Sequence, residues 1–144
     1  VLVQRLWEHG CCPEKGLPLV VRDGSGGLGE ALALGYGTTV PEQRCLFHKL
    51  QNVSKKARSE LKGQENQEQR KQLMEQAATS YQADTATQAQ ARLARWATQW
   101  RAQAPQAVAT LERDFAQTLV FSDITSLDLT WIRTTSLLER TNRE

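Results

Sequence analysis

Leu17-Pro18-Leu19-Val20-Val21, running on into Arg22-Asp23-Gly24-Ser25-Gly26-Gly27-Leu28-Gly29, changes character halfway, and the change decides the fold class. The first five residues are an apolar, β-branched run with Pro at its opening, where a strand tolerates a missing N–H. Being apolar on both faces, the run has the pattern of a buried strand. It ends at Asp23, a glycine-rich turn follows, and the spacing predicts a helix over 28–34. A carboxylate at the carboxyl end of such a strand stands where open α/β sheets present groups to ligands.

The same residues support two plainer readings. Asp opens turns and Gly supplies positive φ, so Asp23 can serve the turn alone. Gly24-x-Gly26-x-x-Gly29 also matches the form of a dinucleotide fingerprint. That motif needs an acid about 20 residues further on, ending a second strand. Glu42 is the acid near that distance, and it follows Pro41 ahead of the next strand.

Upstream, Leu2, Val3, Leu6 and Trp7 recur at helical spacing as far as Gly10, which predicts a short amphipathic helix over 2–9. Downstream, a second strand is expected at 44–47 and a helix over 48–61. Eight of the nine glycines lie in residues 1–37 and none follows Gly63, so the chain reads as α/β in front and helical behind. Ala86, Ala89, Leu93, Trp96 and Trp100 form an apolar stripe at spacings of three and four. Pro105 suits the first turn of another helix, carrying Val108, Leu111, Phe115 and Leu119. Stripes of large apolar residues predict helical hairpins over 64–120, despite the Gln- and Ala-rich composition. Residues 122–131 read as loop, and Thr134-Thr135-Ser136 opens a last helix containing Glu139.

Bulk properties bound the function. The 144 residues suffice for one domain with a core, and 40% hydrophobic with 24% charged content is ordinary for a globular chain. No stretch approaches the ~20 apolar residues of a membrane helix, and the first residues lack a secretory-leader layout. Three cysteines, Cys11, Cys12 and Cys45, are an odd number without paired spacing, which suits a reducing cytoplasm. A net charge of +2 argues only weakly for an anionic partner.

Three further motifs carry chemistry. Cys45-x-x-His48 supplies two of the four ligands of a structural zinc site; Cys45 as a small buried hydrophobe and His48 opening a helix beside a cleft is the simpler reading. Within 44–62, Arg44, Lys49, Lys55, Lys56, Arg58 and Lys62 oppose Glu60 alone. Such an excess suits phosphate contacts and equally a solvated helix face. Ser136-x-x-Glu139 is a capping box, yet on a helix Glu139 shares its face with Thr135, Ser136, Asn142 and Arg143. The tryptophans are most simply core.

Taken in order, DGSGGLGEAL (23–32), QRCLFHKLQNV (43–53), a long helical stretch with paired Trp and PQAV (105–108), and IRTTSLLERTNRE (132–144) resemble the Mutator family of bacterial transposases. The ordered set DG-x-x-GL-x-x-A, QRC-x-x-H-x-x-x-N and RTT-x-x-x-ER-x-N is far more specific than any single piece. The resemblance implies an α-rich α/β chain with a partial RNase H-like fold: core over 1–62, a helical insertion over 63–121, and a return to the core over 122–144. It implies Asp-Asp-Glu catalysis of DNA cleavage and strand transfer with two Mg²⁺ (or Mn²⁺) ions. Asp23 matches the second Asp and Glu139 the Glu. Cys45 and His48 match the family's Cys-x-x-His element, whose role stays open, and Arg44 and Asn52 match neighbouring positions. DNA contacts are expected from Arg44, Lys49, Lys55, Lys56, Arg58, Arg140 and Arg143, with homo-oligomers on transposon ends and target DNA at the nucleoid, and no membrane partner.

The resemblance has two departures. The family's first Asp lies on an earlier strand, and no Asp precedes Asp23, so the chain is expected to be a carboxy-terminal portion, inactive alone. Ser136 also stands where the family has Asn, and both residues cap helices well. The competing expectations are a non-catalytic DNA-binding or interaction remnant, and a nucleotide-binding module dependent on Gly24 and Gly26.

Overall fold

Val20 and Val21 do form a strand, though a shorter and less buried one than their composition predicts. In a computed structural model, which describes residues 2–24, 26–37 and 40–123, β1 (Val20–Arg22) pairs in parallel with β2 (Glu42–Arg44). Val20 lies opposite Glu42, Val21 opposite Gln43 and Arg22 opposite Arg44. All three residues of β1 are half-buried. Leu17 to Leu19 stay outside the strand; the ladder begins at Val20, whose N–H donates to the Pro41 carbonyl at 3.0 Å. β2 lies two residues earlier than its expected position. The Cys45 N–H extends the ladder to the Arg22 carbonyl at 2.7 Å, but Cys45 is already the residue preceding the next helix.

Parallel strands require a crossover, here α2 (Gly26–Tyr36), which begins two residues earlier and ends two later than 28–34. It packs against α1 (Leu2–Glu8). Val3, Leu32, Tyr36 and Val40 form the buried centre of this small unit, with Leu17, Val20, Leu28 and Ala31 around them. Trp7 stacks on Tyr36 at 5.7 Å.

The larger core is helical. It is built from α3 (Leu46–Glu60), α4 (Gln67–Thr79), α5 (Ala86–Trp100) and α6 (Pro105–Glu112). The stripe on α5 is buried through Ala89, Leu93, Trp96 and Trp100, against Leu73 and Ala77 of α4 and Val53 and Ala57 of α3. The polar edges of both indoles are satisfied, as buried Trp requires: Trp96 Nε1 donates to the Leu73 carbonyl at 3.0 Å, and Trp100 Nε1 to Gln76 Oε1 at 2.7 Å. Thr85 caps α5, its hydroxyl accepting from the Gln88 N–H.

The helix expected to carry Pro105 through Leu119 is broken at Arg113, whose backbone is extended (ψ 124°), and Asp114 after it takes a left-handed φ of 56°. α6 therefore ends at Glu112, and Phe115–Thr118 form a 3-10 turn. Phe115 and Leu119 still reach the core, because the break redirects the chain without carrying it out of the helical layer. The ring of Phe115 lies 5.2 Å from that of Tyr81.

α3 clasps α6 at both ends. Ala104, preceding α6, has no polar side chain to cap it, so the first-turn N–H groups need another acceptor. Glu60 provides it from the end of α3, accepting from Gln106 N at 2.8 Å and Ala107 N at 2.9 Å. Near the start of α3, Lys49 Nζ donates to the Arg113 carbonyl just past the end of α6. An anion at one terminus and a cation at the other both complement the helix dipole, and together they require the two helices to run antiparallel. Among the described residues no helix is long and apolar enough to cross a membrane. Glu60→Ala is expected to lower the unfolding free energy by about 1–2 kcal/mol, as loss of a cap does. Urea denaturation measures it against Glu75→Ala on an exposed face of α4, where a change of no more than about 0.5 kcal/mol is expected.

Candidate active site

Parallel pairing brings the carboxyl ends of β1 and β2 to the same edge of the sheet. Asp23 immediately follows β1, and Cys45 immediately follows β2. Because Arg22 is level with Arg44, the two residues just beyond them emerge side by side. His48 lies in the first turn of α3, three residues from Cys45, a spacing that places both toward one side of the helix start. The edge thus gathers Asp23, Arg44, Cys45 and His48. Asp23 is exposed and His48 half-buried, while Cys45 is fully enclosed at 0% exposure. The ring of Phe47 meets that of His48 edge-on at 5.7 Å.

Arg44 organises this edge. Its guanidinium lies against the backbone of Gly24, so closely that a Cβ there would stand 2.6 Å from Nε. Gly24 also has φ +96°, a conformation that L side chains rarely adopt. On its other side Arg44 Nη1 binds Asp114 Oδ2 at 2.7 Å. Asp114 is the left-handed residue of the turn that follows α6, so the Arg44 pair fastens the helical layer to the sheet edge. The parallel pair Arg22–Glu42, at 2.6 Å, crosses the two strands. Sequence reasoning did not single out Asp114. Glu112-Arg113-Asp114 has no motif spacing, and its partner is 70 residues away.

The basic residues of α3 divide. Lys55 and Arg58 are exposed, and Lys56 reaches Gln106 Oε1 at 3.4 Å. Lys49 points inward, with 2% of its surface exposed, and its ammonium is committed to the Arg113 carbonyl. Burial pushes its pKa down from the usual 10.5 to about 8, with Arg44 adding to the effect and Asp114 opposing it. Glu139, Arg140 and Arg143 lie outside the described residues, as does the helix expected to carry them.

Asp23 is an exposed hard oxygen donor, the type of ligand that Mg²⁺ and Mn²⁺ take. Cys45 is a soft ligand and wholly enclosed, which suits neither ion. Among the described residues no three His, Cys, Asp or Glu side chains gather to hold a metal. Asp23 is thus an oxygen donor of the kind such an ion takes, and Arg44, paired with Asp114, stands beside it.

Two measurements probe this edge. Gly24→Ala forces a positive φ and a clash with Arg44, and is expected to cost about 1–3 kcal/mol in urea unfolding. The depressed pKa of Lys49 means that between pH 8 and 10.5 the unfolded chain binds the more protons, so this group makes stability rise with pH across that window. Unfolding free energies at pH 8 and pH 10 should show a gain for the native chain relative to Lys49→Met, in which the contribution is gone.

Compared with known families, the chain matches the profile described as Transposase, Mutator family, over residues 1–144. No curated protein and no solved structure gave a match.

Proposed function

Since the chain belongs to the Mutator family of transposases, we propose that it supplies two carboxylates, Asp23 and Glu139, to a metal-dependent phosphoryl transfer on DNA. The observation that carries the assignment is the placement of Asp23: exposed, at the carboxyl end of β1, beside Arg44 and the first turn of α3. That is the position at which parallel α/β sheets meet their ligands. The core in this reading is RNase H-like over 1–62 and again over 122–144, with 63–121 as a helical insertion.

Two Mg²⁺ or Mn²⁺ ions, when bound, would clamp the attacking and leaving oxygens of an in-line displacement. Asp23 and Glu139 would hold them through hard oxygen donors. In the first step a water oxygen bonds to phosphorus at the transposon end and the P–O3′ bond breaks, freeing a 3′-hydroxyl. In the second that hydroxyl attacks a target phosphodiester, and the target's own 3′-oxygen leaves. Arg44, held rigid by Asp114 and the Gly24 backbone, would place a fixed cation beside the phosphate without reorganising during the reaction. Gly24 leaves room for that guanidinium to lie against the backbone. The partners in this reading are transposon-end and target DNA, bound by a homo-oligomer.

The test uses the longest reading frame that contains this chain, with a labelled transposon-end duplex and Mg²⁺. Asp23→Asn and Glu139→Gln are each expected to lower strand transfer by about 10³-fold, some 4 kcal/mol of barrier, while gel-shift affinity for the duplex stays within about twofold. Strand transfer that survives both substitutions would sink the carboxylate assignment.

A further inference from the structure

A second basic feature lies at the far end of α3 from Asp23. A groove of about 770 Å³ opens between the end of α3 and the start of α4, and Arg58, Lys62, Arg70 and Lys71 all line it. Gln64 and Gln67 add neutral amide donors, Met74 contributes apolar surface, and among the described residues no acidic side chain lines it. Four cations converging on one concavity raise the local anion concentration far more than the same charges spread over a convex helix.

One of the four is anchored. Arg70 Nη1 donates to the carbonyls of Leu61 and Gly63, which ties the α3–α4 turn and holds one guanidinium at the rim. Of the acids nearby, Glu65 lies against Gly63, itself a lining residue, and offsets part of this charge, while Glu75 meets Lys71 only at 4.0 Å, with both side chains more than 60% exposed. Lys55 and Arg58, three residues apart, lie along one face of α3, and Lys62 follows just past the end of the helix, so the three lead from the middle of the helix into the groove.

From these features we propose that the groove receives the phosphate backbone of duplex DNA about half a helical turn away from the phosphodiester at Asp23. His48, at the sheet edge, and Arg58, at the groove, are ten residues apart on one helix, or about 15 Å at 1.5 Å per residue. Phosphates on one strand follow about every 3.4 Å of axis, so a duplex lying along α3 places a backbone phosphate in the groove about four to five nucleotides from the reacting one. The half-buried Met74 suits the deoxyribose between phosphates. The groove is a binding element with no part in the chemistry: it sets where along the duplex the reactive phosphate falls. The proposal rests on the transposase reading for its choice of ligand.

The test is fluorescence anisotropy of the 144-residue chain with a labelled 20-base-pair duplex in EDTA, across a salt series. The double change Arg58→Gln with Lys62→Gln is expected to weaken binding about tenfold and to make log K against log salt shallower by about 2, since each phosphate contact contributes about 0.9. Arg5→Gln with Lys15→Gln removes the same charge from exposed positions near α1 and is expected to leave both quantities near those of the native chain. In the unaltered chain, duplex should also protect Lys62 and Lys71 from acetylation, a readout independent of any variant. Equal losses for the two pairs, unprotected lysines, or polyglutamate binding as tightly as DNA at equal charge each overturn the proposal. The assay contains no metal and reads binding alone, so its outcome is separate from that of Asp23→Asn and Glu139→Gln.

Discussion

The ionic clasp between α3 and α6 is the constraint from which the rest of the arrangement follows. Glu60 supplies the acceptors that Ala104 cannot, and Lys49 meets the carbonyl beyond the other end of the same helix. Neither group acts as a surface charge. Each satisfies backbone groups that a helix terminus leaves open, and each has the sign that the dipole favours. With α6 locked antiparallel to α3, Val108 and Leu111 close the core over Val53 and Ala57. Arg113 and Asp114 are then delivered to the start of α3, where β2 ends.

Asp114 carries that constraint onward to the candidate site. It lies in the turn that follows α6, with a left-handed backbone, and its carboxylate holds Arg44. Arg44 in turn lies on Gly24, next to Asp23. A continuous set of contacts therefore runs from the helical layer to the sheet edge, and the position of Arg44 beside Asp23 depends on helices more than sixty residues away in sequence. α3 serves both ends of this arrangement. Its first turn borders the sheet edge, and its last turn borders the basic groove, so one rigid rod spaces the two features.

Much of this was legible in the residues. The apolar stripe through Leu93, Trp96 and Trp100 located α5 because large side chains at helical spacing have few alternatives to burial. Pro105 marked the first residue of α6, since its missing N–H costs nothing there. Strand limits were less legible. Leu17 and Leu19 have the composition of a strand, yet strand identity is a matter of backbone pairing, and the ladder starts only at Val20. The break at Arg113 was hidden as well. Phe115 and Leu119 keep helical spacing with Val108 and Leu111, and apolar spacing does not register the turn made by Arg113 and Asp114 between them.

By itself, the sequence determined that a carboxylate ends a strand at Asp23, that His48 sits near the start of a helix, and that a helical block follows, while Cys45, expected within the second strand, proved to precede that helix. These are local matters, decided by side-chain type, spacing and backbone preference within a few residues. The ordered motifs also determined the family, because their combination is specific even where each piece is weak. Tertiary structure alone decided which charges face outward. Lys49 and Lys55 look alike in the chain, yet one is enclosed against a carbonyl and the other is solvated. It alone paired Arg44 with Asp114, and it alone gathered Arg58, Lys62, Arg70 and Lys71 into one groove. The physical reason is the same in each case: the energy of a charge depends on what surrounds it in space, and its neighbours here come from distant parts of the chain.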